Sequence, residues 1–450
     1  MMRGNSRRRT VIRAFFMLAV FPAVFHGPLG TAQAVEVSVP LQPIIDRAAS
    51  GEVLTLDDEK SYSGPAVIDK PLTLVAKKGK IVNDSDQPAL TVKSDNVAVE
   101  GLTIVQMYRN AAVPAVLVES SNNRLEALTV KSLGTGIQLR QADDNILKDN
   151  AIAGGKLTGQ NPSTVLRGNG IDVYESSRNT ITGNSVDLMQ DGIYIEGGQS
   201  SVVSGNKTFR SRYGFHFMFT EELLFSGNQG TKNVTGAMVM GVTGAAIRDN
   251  RFEKQNSNVN SQGLLLYDVK QSEVDGNAVQ GNRVGLFVQQ SEGNLLSRNE
   301  ITGNFIGLQM LDSSDNRLRE NSFVSNVVPA QSVNSSGNDA DGNYWDGAQV
   351  LDLDGSGFSN LPYEINPFFL RITGSVPAFQ LLFHSPGMPV LEQLFHTDTK
   401  EWLKDKSPLL EPKQPGGSAD QSADYKIAAV SVLLLAASLY SIFLCRGKTT

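Results

Sequence analysis

Gly170, Gly192, Gly214 and Gly236, and again Gly285 and Gly307, are spaced 22 residues apart. Each is followed fourteen residues later by an asparagine: Asn184, Asn206, Asn228, Asn250, Asn299 and Asn321. Gly136 with Asn150 and Gly263 with Asn277 keep that offset although the gaps between copies stretch to 34 and 27. A fixed short period is the mark of a solenoid, in which each turn buries its apolar side only by stacking on its neighbours. Residues at one offset in successive copies then lie above one another.

The kind of turn follows from the alternation after each glycine, as in Gly192-Ile-Tyr-Ile-Glu and Gly285-Leu-Phe-Val-Gln. Period two describes a strand with one buried face. The first and third residues after glycine are apolar in all eight copies and point inward, so the second and fourth point out. A second apolar position falls two residues after the asparagine, at Ile152, Val186, Phe252, Val279, Ile301 and Phe323. Short strands separated by Gly, Asn, Ser and Asp at this period predict an all-β fold, a parallel β-helix. A leucine-rich repeat is excluded by the lack of a leucine-dense consensus. The asparagines suit tight turns, and stacked amides can hydrogen-bond along the solenoid. They are scaffold.

Formal net charge is −6, with no concentrated basic patch beyond the first 34 residues, which speaks against nucleic acid as a partner. Arg3 and Arg7–Arg9, the apolar stretch Ala14–Phe25 and the small residues Ala32-Gln-Ala34 predict an export signal over residues 1–34, of the ordinary rather than the twin-arginine kind. Near the other end, Ile427–Cys445 is 19 residues without a charge. At about 1.5 Å per residue it spans a hydrocarbon core of roughly 30 Å, and Arg446 and Lys448 behind it place the tail in the cytoplasm. The expected organisation is signal peptide 1–34, N-terminal cap 35–60, β-helix 61–345, a partly helical C-terminal cap 346–412, linker 413–424, transmembrane helix 425–446 and cytoplasmic tail 447–450. Localisation is then the outer face of the cytoplasmic membrane. Leu41, Ile44, Ile45 and Ala48 have the spacing of a short amphipathic helix that plugs the first end, and the apolar spacing across 375–405 predicts helix at the other. Residues 156–167 and 255–262 are expected to be loops that leave the turns on either side in register. Pro329 at the glycine position marks the end of a ladder to which it cannot donate. The single cysteine, Cys445, excludes a disulfide framework within one chain and is either acylated or one more apolar residue at the membrane edge.

Chemistry belongs to the outward positions. Neighbouring turns lie about 4.8 Å apart and alternate residues of a strand about 6.6 Å apart, so His216, Met218, Met238 and Met240 form the corners of one small quadrilateral. Thioether sulfur is soft and prefers Cu(I) to Zn(II), Mg(II) or Ca(II). The same four side chains admit a second reading, in which an apolar patch continued by Leu265, Phe287 and Leu311 is covered by a loop or a partner. Asp172, Glu196 and Arg212, with Asp191 and His216, form an alternative groove for an anionic sugar, which would make the chain a carbohydrate epimerase or lyase. Asp352 and Asp354, in Asp352-Leu-Asp-Gly-Ser-Gly, have the look of a calcium turn without the remaining ligand spacing and read as a tight turn. His384, His396 and Met388 show no spacing that specifies a metal.

Arg212-Tyr-Gly-Phe-His-Phe-Met-Phe, Thr235-Gly-Ala-Met-Val-Met, Gly263-Leu-Leu-Leu-Tyr-Asp-Val, Asn282-Arg-Val-Gly-Leu-Phe-Val and Gly342-Asn-Tyr-Trp-Asp, in this order, resemble the NosD family. The similarity spans roughly residues 40–412. It implies a right-handed parallel β-helix that is not itself an enzyme and that assists assembly of the copper centres of nitrous oxide reductase. It further implies Cu(I), with sulfur as a possible second cargo, received from a copper-chaperone lipoprotein, and an ABC-type ATPase with its membrane subunit as partners. The family is not usually built with a C-terminal membrane span, so Ile427–Cys445 is a departure from its pattern. A structural binding module whose apolar stripe docks a partner is the remaining alternative.

Overall fold

The computed structural model describes residues 38–155, 167–365 and 403–413. From Pro114–Val118 to Ser322–Val324 the turns carry one longer strand and two shorter ones, as in Tyr213–Met218, Leu224–Ser226 and Gln229–Thr231, whereas in the first turns no strand exceeds 4 residues. Strands of each kind stack into one sheet, giving a long-strand sheet of 12 strands and two short-strand sheets of 12 and 14. All pairs within these three sheets are parallel, and the solenoid is right-handed, with about 13 turns of about 22 residues. The first and third positions after the repeat glycines are buried throughout, from Ile137 and Leu139 to Leu308 and Met310. The core is one continuous column of such side chains. Where the second apolar position fails, at Thr208 and Gly230, phenylalanines fill the space: the rings of Phe215, Phe217 and Phe252 gather around Phe225 at 4.9 to 6.1 Å.

The repeat glycines are required by close approach between turns. None of those in the long strands lies in the left-handed region, yet a Cβ built on Gly214 would come 2.5 Å from the carbonyl oxygen of Gly236, and one on Gly192 would come 2.4 Å from that of Gly214. Gly214→Ala is therefore expected to force two turns apart. Overpacking of this kind typically costs about 1–3 kcal/mol, and thermal unfolding of the variant should fall by more than about 2 °C. An unchanged midpoint would show that the turns have slack at this point.

Asn150, Asn184, Asn206, Asn228, Asn250, Asn277, Asn299, Asn321 and Asn343 form an unbroken buried ladder at the corner between the two short strands. Each side-chain amide donates to the Oδ1 of the next at 2.8–3.0 Å, and each backbone N–H does the same. The ladder passes both irregular gaps without a break, Asn150 to Asn184 and Asn250 to Asn277. Of the two expected loops, 156–166 lies outside the described residues. In the second, Gln255 is buried in a corner and donates to the Gly230 carbonyl, and Gln262 opens the strand Gln262–Tyr267. The excursion is thus 256–261. Two further polar ladders occupy the other corners, through Asn282, Asn304 and Asn326 and through Asn294, Asn316 and Asn338.

Gln42–Arg47 is helical, with Leu41 and Ile45 fully buried at the start of the core. At the other end Trp345 stacks on Phe323 at 4.0 Å. There Asp405 takes the place of the next asparagine: it accepts hydrogen bonds from the N–H groups of Gly342 and Asn343 and from Trp345 Nε1, each at 2.9 Å. Burial pushes its carboxyl up, against the pull of these donors. The helix expected across 375–405 lies outside the described residues, except that Leu403–Asp405 is a strand paired antiparallel with Tyr363–Ile365. Leu403 is buried against the end of the core, and Asp405 is fixed by the hydrogen bonds from Gly342, Asn343 and Trp345, which hold this last segment extended. Pro329 sits in Val328–Val333, the last strand of the long sheet, as expected of a residue that cannot donate. The export signal, the linker from residue 414, Ile427–Cys445, Cys445, His384, Met388 and His396 lie outside the described residues. Among the described residues no helix is long and apolar enough to cross a membrane.

Candidate functional site

The outer face of the long-strand sheet brings the metal candidates together. Tyr213–Met218 pairs with Thr235–Met240 so that His216 faces Met238 and Met218 faces Met240 across one inter-turn step. Glu196 and Tyr194 lie one turn before them, Leu265 and Tyr267 one turn after. The three methionines are half-buried, whereas His216 is only 7% exposed, so this position is not the open surface that alternation alone suggests. Aromatic neighbours close over the imidazole. The rings of Tyr194 and Tyr213 stand edge-on to it at 5.0 and 4.7 Å.

Beneath these rings runs a chain of charged hydrogen bonds. Arg212 donates through Nε and Nη2 to the two oxygens of Asp191 at 2.9 and 2.8 Å, and its guanidinium lies 4.5 Å from the centre of the Tyr213 ring. His216 Nδ1 is 2.9 Å from Asp191 Oδ2. Burial of Asp191 pulls its carboxyl upward, but hydrogen bonds from His216 and Arg212 outweigh it and hold the group below the usual carboxylate range. An ionised carboxylate only accepts, so Nδ1 is the donor. His216 Nε2 is buried and has no hydrogen-bond partner. Tyr194 donates to Glu196 Oε2 at 2.5 Å and lies 3.5 Å from Met218 Sδ; burial, then Glu196, pushes its phenol up.

These residues fit a soft cation. A bare nitrogen without a donor to satisfy it stands on the same sheet face as three thioethers, and carboxylate oxygen, the hard donor, is engaged by Arg212. Among the described residues no group of three or more His, Cys, Asp or Glu could hold a metal ion. A soft cation at this face would take its remaining donors from sulfur.

The alternative sugar groove is placed on the same face. Asp172 faces Tyr194 one turn before His216, and Tyr174 faces Glu196. Asp172 is buried, accepts from Asn169 Nδ2 at 3.0 Å and has its carboxyl raised by that burial. Arg140 approaches it only to 4.0 Å. Arg212, the cation of that groove, is turned to Asp191. Asp352 accepts from the backbone N–H groups of Asp354, Gly355, Ser356 and Gly357, closing its own turn. Sequence reasoning missed a third outward row, directly before each glycine. Asp191 and Tyr213 belong to it, and farther along it turns apolar: Val284, Ile306 and Val328 are buried with Phe287, Phe305 and Val327 against them. Arg283 lies 3.7 Å over the Phe305 ring.

This architecture defines a right-handed parallel β-helix protein, and residues 74–188 match the right-handed β-helix region. Residues 154–351, which hold the whole His-Met face, match the family described as periplasmic copper-binding protein (NosD). No curated protein matches the sequence. Among solved structures, the family 28 exopolygalacturonase of Yersinia enterocolitica is similar at 10% identity, over 69% of this chain and 75% of that one, with a TM-score of 0.52. A double mutant of the periplasmic alginate epimerase AlgG shares 15% identity over 69% and 84% of the two chains, with a TM-score of 0.44. The A-module of the Azotobacter vinelandii mannuronan C-5 epimerase AlgE4 shares 13% over 68% and 88%, with a TM-score of 0.42. The likeness is one of fold.

Proposed function

We propose that this protein is an extracytoplasmic accessory factor that takes up Cu(I) and passes it on for assembly of nitrous oxide reductase. The observation that carries the reading is the pairing of His216 with Met238 and of Met218 with Met240, with His216 Nε2 buried and unpartnered. His216, Met218, Met238 and Met240 would hold the ion. Copper is cargo here: soft neutral donors bind Cu(I) without redox change, and half-buried sulfurs leave a path for exchange to another soft donor set. No bond of a substrate is made or broken. The polysaccharide-active alternative is less well served, since Arg212 is engaged by Asp191.

The partners of this reading are a copper-chaperone lipoprotein as donor, the reductase as recipient, and an ABC-type ATPase with its membrane subunit; sulfur is a further cargo the same assembly could handle. Titration of the purified chain with Cu(I) against a competing chelator should give one ion per chain, with sulfur and nitrogen in its X-ray absorption spectrum. Absence of uptake would remove the proposal.

Anchorage through Ile427–Cys445 belongs to the same proposal. Protease added to intact protoplasts or spheroplasts is expected to digest the solenoid and to spare an epitope at Thr450. A solenoid protected from external protease would exclude this topology.

A further inference from the structure

We propose that Asp191, held by Arg212, is a positioning residue that keeps the His216 proton on Nδ1 and so presents a bare Nε2 lone pair to a soft monovalent cation. The inference deepens the copper reading and rests on it.

The geometry leaves little freedom. Both Asp191 oxygens accept from one planar guanidinium, which sets the carboxylate plane. Asp191 Oδ2 then meets Nδ1 at 2.9 Å, and its side chain is 1% exposed, so no water competes for the contact. With the proton on Nε2 instead, a bare Nδ1 would face a carboxylate, and a buried N–H would have no acceptor. With the proton on Nδ1, one lone pair is left without a donor, and that lone pair is the one group a metal ion satisfies. Metal-binding imidazoles commonly carry this kind of carboxylate partner on the second nitrogen. The edges of Tyr194 and Tyr213 stop the ring from turning over.

Arg212 does more than hold Asp191 still. Its positive charge cancels that of the carboxylate, so orientation is achieved without net negative charge beside the ion. A hard divalent cation gains from such charge and from oxygen ligands; Cu(I) gains from sulfur and neutral nitrogen. The Arg212–Asp191 pair thereby favours the softer, singly charged ion. Glu196 is likewise engaged by Tyr194.

The test uses the full chain with nitrogen-15 only in histidine, free of metal and at mildly alkaline pH, where protonated and bare imidazole nitrogens resonate in separate ranges. The His216 signals are assigned by their loss in His216→Gln. In the wild-type chain His216 should carry its proton on Nδ1. In Asp191→Asn, where an amide must face both Arg212 and the imidazole, that preference should be lost, and Cu(I) affinity against a chelator should fall by about 10- to 100-fold while the strand signature in circular dichroism is kept. A wild-type proton on Nε2 would overturn the inference and leave the copper reading standing. A proton on Nδ1 combined with unchanged affinity in Asp191→Asn would overturn the positioning role. If Asp191→Asn does not fold, the wild-type tautomer still decides. Wild-type chain with the expected tautomer and no Cu(I) uptake would overturn the copper reading itself, and with it the cation that the lone pair serves.

Discussion

Replacing Met238 and Met240 together by leucine is expected to abolish retention of Cu(I) while leaving the solenoid intact. The two residues sit side by side on adjacent outward positions of Thr235–Met240, paired with His216 and Met218 of the preceding turn. Leucine conserves volume and apolarity, and exchanges of this kind usually cost below about 1.5 kcal/mol. It offers no lone pair. With two of three thioethers gone, the loss in affinity should exceed the roughly 10- to 100-fold that follows removal of a ligand's supporting group. Competition with a chelator measures the affinity, and the copper content of reductase matured in cells carrying the variant measures delivery. If the patch is a docking surface, leucine will serve as well as methionine, and both measurements will match the wild type. That result would withdraw the site.

Asn228→Ala is expected to give the largest loss of stability among single changes away from the core. Asn228 is buried; its amide donates to the carbonyls of Val203 and Ser226 and to Asn250 Oδ1, and its Oδ1 accepts from both the backbone and the side chain of Asn206. Alanine removes all five contacts. Each buried polar group left unpaired costs about 1–3 kcal/mol, so a total above about 3 kcal/mol is expected. An alanine at the exposed Asn256 should stay within about 0.5 kcal/mol. Denaturant unfolding of the two variants compares them directly. Equal midpoints would mean that the ladder merely accompanies the turns and does not hold them.

The period, the inward alternation and the stacking of His216 on Met238 were legible in the chain because each is a repeat, and a repeat states the same contact many times over. Gly214 and Asn228 could be assigned to scaffold for that reason. The other two polar ladders carried a weaker signal of the same kind: Asn233, Asn282 and Asn304 stand three residues before a repeat glycine, and Asn179, Asn294 and Asn316 five before a ladder asparagine. They escaped notice because Ser211, Gln255 and Ser272 interrupt those rows while making equivalent hydrogen bonds.

What determined the solenoid was therefore local and periodic, and the sequence by itself was sufficient for it: apolar residues at alternate positions must be buried, and at this period they are buried only by stacking. The contacts around His216 were decided by the tertiary structure. The repeat places Tyr194 one turn before His216 and brings Asp191 and Arg212 to the same groove. The bond between His216 and Asp191, the grip of Arg212 on that carboxylate and the approach of both tyrosine rings are each made once, and no spacing announces them. The same holds for Asp405, which reaches across more than sixty residues to take an asparagine's place. A contact made once leaves no period, and its energy depends on burial, which only the folded chain supplies.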